Sequence, residues 1–142
     1  MSSNAQPIFV GSVRNESAKI ITGSTAESGS GSTKLFQADP TNGSRIHAIS
    51  GLFADTVTTL TVCRLWLESS GLYTLIASIP LPTYTQASGV PAPVINLLDA
   101  DHIEFIDPVD RFLTLDAGDS LYVSVYDDIE SNLHVTAWGG DY

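Results

Sequence analysis

The chain has 142 residues and a formal net charge of -10, with 16 acidic residues against 6 lysines and arginines. A surface of this sign repels phosphate, which makes nucleic acids and anionic membranes poor partners. The length fits one domain with a core of its own.

A single cysteine, Cys63, excludes an internal disulfide, and its apolar surroundings in the sequence indicate a small buried hydrophobe rather than a reactive thiol. The first ten residues lack the basic and apolar regions of a signal peptide, and no apolar run approaches the roughly 18 residues of a membrane-spanning helix. We therefore expect a soluble protein made without a secretory signal of its own.

Residues 1–43 are predicted to form an arm outside the compact domain. Short strands are predicted at residues 8–13 and 18–22. They precede residues 23–33, a Gly/Ser/Thr-rich stretch with the composition of a flexible linker. Another strand is predicted at residues 33–37.

A strong turn signal at residues 39–43 (Asp-Pro-Thr-Asn-Gly) ends the arm, and the compact domain is predicted to span residues 44–142. Such an arm can add a strand to a neighbour's open sheet edge, with Arg14 and Lys19 facing an acidic patch there. The alternative is that the early strands belong to the chain's own sheets.

The middle of the chain predicts a strand at residues 45–54 and then a hairpin. The hairpin strands, residues 57–68 and 72–80, are rich in β-branched and aromatic residues and are separated by residues 69–71 (Ser-Ser-Gly).

The apolar residues in the first strand of this hairpin fall on both of its faces. Leu60 and Val62 share one face, whereas Leu65 and Leu67 fall on the other. Either the strand is covered on both sides or a bulge near Arg64 shifts its phase. Because one small sandwich has difficulty covering both faces, we expect Leu65 and Leu67 to be buried between the protomers of a trimer.

Four prolines between residues 80 and 93 predict a long loop, because proline donates no hydrogen bond to a sheet ladder. One helical turn is predicted at residues 96–99, and short strands are predicted at residues 103–106 and 112–115.

The clearest strand periodicity lies near the end of the sequence. Two sets of apolar residues alternate with their neighbours: Leu121, Val123 and Val125, and then Leu133, Val135 and Ala137. Residues 127–132 between them are polar and of hairpin length, so two antiparallel strands are predicted, preceded by a tight turn at residues 116–119. The elements together predict an all-β fold, an antiparallel β-sandwich or jelly-roll-like domain of about eight strands.

Five carboxylates lie close together in the sequence: Asp99, Asp101, Glu104, Asp107 and Asp110. Alternating carboxylates are calcium ligands. An EF-hand loop, however, needs an oxygen ligand at its fifth position and glycine at its sixth, where this chain has Ile103 and Glu104. We interpret the cluster as a solvated acidic loop, with bound calcium as the alternative.

The three histidines, His47, His102 and His134, are scattered without the paired spacing of a zinc site. No nucleophile elbow, dinucleotide fingerprint or phosphate loop occurs. The sequence therefore predicts that the chain is not an enzyme, with no catalytic, cofactor-binding or metal-binding residue.

Seven tyrosines and tryptophans have two interpretations. As a stacking platform for sugars they would indicate a glycan-binding module, and as core or interface residues they would support assembly. They are Trp66, Tyr73, Tyr84, Tyr122, Tyr126, Trp138 and Tyr142.

Four short segments resemble small structural proteins of tailed bacteriophages. They are Gly-Ser-Arg-Ile at residues 43–46, Gly-Leu-Tyr-Thr-Leu at residues 71–75, Ala-Gly-Asp-x-Leu at residues 117–121 and Gly-Gly-Asp-Tyr at residues 139–142. The resemblance covers residues 43–142 and carries no active-site residue. It implies a virion component assembled in the host cytoplasm. The preferred role is that of a capsid decoration (cement) protein, and a neck, tail or fibre accessory protein is the alternative. A homotrimer in contact with the major capsid protein suits this role.

Residues 139–142 are expected to be ordered. Two glycines would let the chain turn sharply after a strand ending at Trp138, and the Asp141 carboxylate would need an arginine donor. The candidate donors are Arg45, Arg64 and Arg111.

Overall fold

The computed structural model describes residues 11–98 and 112–142, which form nine β-strands and no helix. The strands are β1 Ser12–Ile20, β2 Thr33–Gln37, β3 Ser44–Phe53, β4 Thr61–Ser69, β5 Leu72–Leu81, β6 Ile95–Asn96, β7 Leu113–Leu115, β8 Ser120–Val125 and β9 Leu133–Asp141. The helical turn predicted at residues 96–99 is wrong in its described part, because Asn96 pairs with Ser50 of β3. The strand predicted at residues 103–106 lies outside the described residues.

The strands form two antiparallel sheets that pack as a β-sandwich. The first sheet has the order β1-β9-β3-β6, with β7 also paired to β3, and the second has the order β2-β8-β4-β5. Apolar side chains of both sheets form one core, including Ile46 and Ile49 from the first sheet and Leu65 and Val123 from the second. The predicted antiparallel β-sandwich is confirmed.

Residues 12–37, which the sequence assigned to an arm, supply one strand to each sheet. β1 is antiparallel to β9 along its whole length, and β2 pairs with β8. Within the described residues, the parts of the strands predicted at residues 8–13 and 18–22 belong to the single strand β1. Arg14 and Glu16 interrupt its apolar pattern in the sequence, yet they share the core side of β1 with Ile20. Residues 1–10 lie outside the described residues.

The Gly/Ser/Thr-rich stretch lies across the outer face of the second sheet. The Ser24 backbone N–H donates to the Val125 carbonyl at 2.8 Å, and Arg64 Nη2 donates to the Ala26 carbonyl at 2.7 Å. Arg64 and Trp66, which alternate with the core residues of β4, are therefore buried as well. β4 is covered on both sides, as one of the two sequence interpretations required.

The predicted hairpin is formed by β4 and β5, with β4 beginning at Thr61. Ser70 and Gly71 have φ values of 52° and 84°, the left-handed pair typical of a tight type I′ turn. Leu65 is fully buried and Leu67 packs against the core. The surface expected to join the protomers of a trimer is thus covered within the chain, which corrects that argument.

β8 and β9 keep their predicted alternation but are not the predicted hairpin. Their alternating apolar residues are buried, yet β8 lies in the second sheet and β9 in the first. Residues 127–132 therefore cross between the sheets. Six residues are long enough for a hairpin within one sheet and also for a crossing between the sheets, because packed sheets lie only about 10 Å apart.

Candidate functional site

Three of the four segments that resemble phage proteins meet at one corner of the sandwich. We define the motif corner as residues 43–46, 117–121 and 139–142. The first and last of these segments pair with each other where β3 meets β9. Gly43 is held against the backbone that leads into the second segment, since a Cβ on Gly43 would lie 2.5 Å from the Leu115 carbonyl oxygen. The fourth segment, residues 71–75, lies apart from this corner, at the turn into β5 and the start of that strand in the second sheet.

Close backbone approach explains the glycine at position 139. A Cβ on Gly139 would lie closer than 3.0 Å to the carbonyl oxygen of Arg45, a separation that real Cβ atoms essentially never show. β3 has a register shift between Ile46 and Ala48 at this point. The sequence predicted that this glycine turns the chain sharply after Trp138, but β9 continues to Asp141. The glycine instead lets β3 and β9 approach each other closely.

Arg14 of β1 ties the motif corner together. Its Nε donates to Oδ1 of Asp141 at 3.0 Å, and its Nη2 lies 2.8 Å from the same oxygen. The buried Ser44 hydroxyl donates to that oxygen at 2.6 Å and accepts from the Asp39 backbone N–H at 2.9 Å. The guanidinium also lies 4.2 Å from the centre of the Phe36 ring. Strands β1, β2, β3 and β9 are thereby linked at one point.

Tyr142 is also held in place. Its hydroxyl accepts from Arg45 Nε at 3.0 Å, and its backbone N–H donates to the Gly43 carbonyl at 3.2 Å. The expected order of residues 139–142 is confirmed, but the donors differ. Arg45 binds Tyr142, whereas Asp141 binds Arg14, which the sequence placed in an arm.

A cleft of about 340 Å³ opens beside Arg14, between edge strands β1 and β2. It is lined by Arg14, Glu16, Ser17, Lys34, Leu35 and Gln37. Arg14 Nη1 lies 3.4 Å from Oε1 of Glu16, and Nη2 donates to the Gln37 carbonyl, so the guanidinium bridges the two walls. Lys34 Nζ lies 3.4 Å from Oε1 of Gln37. These groups are suited to ion pairing and hydrogen bonding.

A separate clamp joins two connections between the sheets. Oε1 of Glu130 accepts hydroxyl hydrogen bonds from Thr59 at 2.7 Å and Thr58 at 2.8 Å. These hydrogen bonds lower the pKa of Glu130 to about 2. The clamp fastens the β3–β4 connection to the β8–β9 crossing.

The histidines and the cysteine of the described residues do not form a metal-binding group. No group of three His, Cys, Asp or Glu side chains in residues 11–98 and 112–142 is placed to hold a metal ion. Burial raises the pKa of the Cys63 thiol to about 12, which confirms its interpretation as a buried hydrophobe. His47 is exposed at the β3 register shift, and His134 is half-buried on β9. The remaining candidates lie outside the described residues: Asp99, Asp101, His102, Glu104, Asp107, Asp110 and Arg111.

The aromatic side chains do not assemble into one stacking platform. Trp66 is buried, and Tyr73 packs edge-on against Tyr122 with 5.1 Å between ring centres. Trp138 and Tyr126 are 45% and 43% exposed, but Trp138 belongs to the first sheet and Tyr126 follows β8 in the second.

No protein-family model, curated protein or solved structure matches the chain. Within the part of the chain that the structure describes, no helix is long and apolar enough to cross a membrane. The resemblance to phage structural proteins therefore rests on the four short segments alone.

Proposed function

We propose that the chain is a non-enzymatic structural protein of a phage virion, and that its role is that of a capsid decoration protein. The observation that supports the proposal is the convergence of three resembling segments at the motif corner. The first and last of these segments are bonded through side chains: Ser44 donates to Asp141, which also binds Arg14 of β1, and Ser44 accepts from the Asp39 backbone N–H. Residues used in this way fix a fold, whereas a catalytic motif directs a reactive group towards a cleft.

The charge supports a place on the outside of the shell. A net charge of -10 is repelled by the phosphates of packaged nucleic acid. We propose the major capsid protein as the partner, self-association on the capsid surface, and assembly in the host cytoplasm.

The test uses heads of the phage that encodes the chain, prepared without it. Added protein should cosediment with the heads up to a fixed ratio to the major capsid protein and should raise the temperature at which they release DNA. Binding to tails or necks instead would assign the chain to the accessory proteins. Binding to none of these particles would overturn the proposal.

A second candidate function, glycan binding, is favoured by Trp138, which is 45% exposed on the outer face of the first sheet. An exposed indole is a stacking surface for a sugar ring. A polysaccharide array should then show binding that Trp138→Ala abolishes, and an array without binding would remove this candidate.

A further inference from the structure

β1 is an edge strand of nine residues, and its free side pairs with no strand among residues 11–98 and 112–142. Such an edge is a template for another strand. Arg14 and Glu16 stand on its core side, opposite Gly139 and Ala137 of β9. Inward-pointing charges reject an added strand that would bring apolar or like-charged residues beside them. The edge is therefore selective for a strand with the complementary order of charges.

β1 itself has that complementary order. In an antiparallel pair of two β1 strands centred on Asn15, Arg14 of each copy stands opposite Glu16 of the other. Val13 then stands opposite Ser17, and the two Asn15 residues stand opposite each other. Residues directly opposite in antiparallel strands have Cβ atoms about 5 Å apart, within ion-pair reach of Arg and Glu side chains.

We propose that the free side of β1 is a self-pairing surface, where a second copy of this chain adds its own β1 antiparallel across a two-fold axis at Asn15. The cleft beside β1 gives the charged side chains room to make this contact. The Arg14 and Glu16 side chains are 26% and 43% exposed. Arg14 Nη1, 3.4 Å from Glu16 in its own chain, can exchange that contact for Glu16 of the second copy, while Nε keeps its bond to Asp141.

The location of the basic residues favours this contact. Two copies with a net charge of -10 each repel one another, so they associate best where each is least acidic. β1 carries Arg14 and Lys19 against the single carboxylate of Glu16. The contact goes beyond the virion proposal, since it concerns two copies of the chain in solution.

Cysteine pairing tests the register. Asn15→Cys puts two thiols opposite each other, so mild oxidation should give a disulfide-linked dimer. Ser17→Cys is the matched control: it should not cross-link, because Ser17 stands opposite Val13. The double variant Val13→Cys/Ser17→Cys should cross-link again. Native Cys63 is buried and should not react.

Charge reversal tests the complementarity. Glu16→Arg places like charges opposite each other at two symmetric positions, and we expect the dissociation constant to rise about tenfold. Glu27→Arg, an exposed loop residue with the same change of charge, is the control and should leave self-association unchanged. Sedimentation measures both variants against the wild type.

Three results would overturn the proposal. They are a wild-type chain that stays monomeric at high concentration, a Glu16→Arg variant that associates like the wild type, and a Ser17→Cys variant that cross-links as fast as Asn15→Cys. The cysteine variants keep both charges, so they decide the matter even if Glu16→Arg unfolds. Loss of head binding by the wild type would count against the virion proposal and not against this contact.

Discussion

The β4–β5 hairpin and the motif corner are held together in different ways. The hairpin joins neighbouring strands through a two-residue turn at Ser70 and Gly71. The motif corner joins residues far apart in the chain, and its central ion pair links Arg14 to Asp141 across 127 positions. Damage to the hairpin turn should therefore stay local, whereas damage to the corner should loosen strands of both sheets.

Alanine substitution of one glycine in each region should give the largest difference in stability between the motif corner and the hairpin. Gly139→Ala brings a Cβ into the Arg45 carbonyl oxygen between two paired strands, so one strand must move. We expect a loss of about 3 kcal/mol in the free energy of unfolding, the upper range for overpacking. Urea denaturation measures this loss.

Gly71→Ala is the matched control in the hairpin. No atom lies within 4 Å of its added Cβ, so the cost comes from the φ of +84° alone and should be about 1 kcal/mol. Equal losses for the two alanines would break the distinction between the regions.

Removal of residues 141 and 142 should also weaken the corner. It deletes the carboxylate that binds Arg14 and the hydroxyl that binds Arg45. We expect a loss of roughly 1 to 3 kcal/mol in thermal or urea denaturation. Asp141→Asn keeps Tyr142 and should cost less, about 1 kcal/mol, because the ion pair is partly exposed. A truncated chain that melts like the full-length chain would contradict the role of the corner.

A substitution in the hairpin turn, unlike those in the motif corner, should raise the free energy of unfolding. Ser70 has a φ of 52°, a left-handed conformation that asparagine adopts more readily than serine. Ser70→Asn should raise the free energy of unfolding by about 0.5 kcal/mol. Ser69→Asn, one residue earlier at the end of β4, is the control and should bring no gain. A gain from both variants would show that the turn conformation is not its cause.

The smallest effect on stability is expected for substitution of Glu130. This residue, like the motif corner, connects parts of the chain that are distant in sequence, but it lies on the surface. Hydrogen bonds from the Thr59 and Thr58 side chains lower its pKa from 4.5 to about 2. A carboxylate with a lowered pKa stabilises the fold above pH 4.5, and this contribution is lost as the pH falls towards 2. The melting temperature of Glu130→Gln should lie below that of the wild type at pH 7, and the difference should shrink between pH 4.5 and 2. A difference that stays constant over this range would contradict the role of the clamp.

Local features of the fold could be predicted from the sequence, and pairings between distant strands could not. The alternation through Val123 and Val135 identifies buried faces, because side-chain period is a property of one strand. The sheet that each strand joins depends on the whole topology, and residues 127–132 are long enough for a hairpin or a crossing. The pairing of β4 with β5 was predicted correctly because the two strands are adjacent in the chain, whereas the expected burial of Leu65 and Leu67 between protomers was wrong because it depended on what covers the hairpin.

The motif corner shows the same limit for the candidate site. Its segments could be recognised one by one, but no local pattern indicates that Ser44 and Asp141 meet. Arg14 precedes a Gly/Ser/Thr-rich stretch with the composition of a flexible linker, so the sequence assigned it to an arm. Its core-side position is stable because Asp141, which is remote in sequence, neutralises it.

Quantitative mass spectrometry of gradient-purified virions tests the proposed virion role most directly. Particles of a phage that encodes the chain should contain its peptides at a constant ratio to the major capsid protein in independent preparations. Heads and tails that lack the chain, although the infected cells express it, would contradict the proposal.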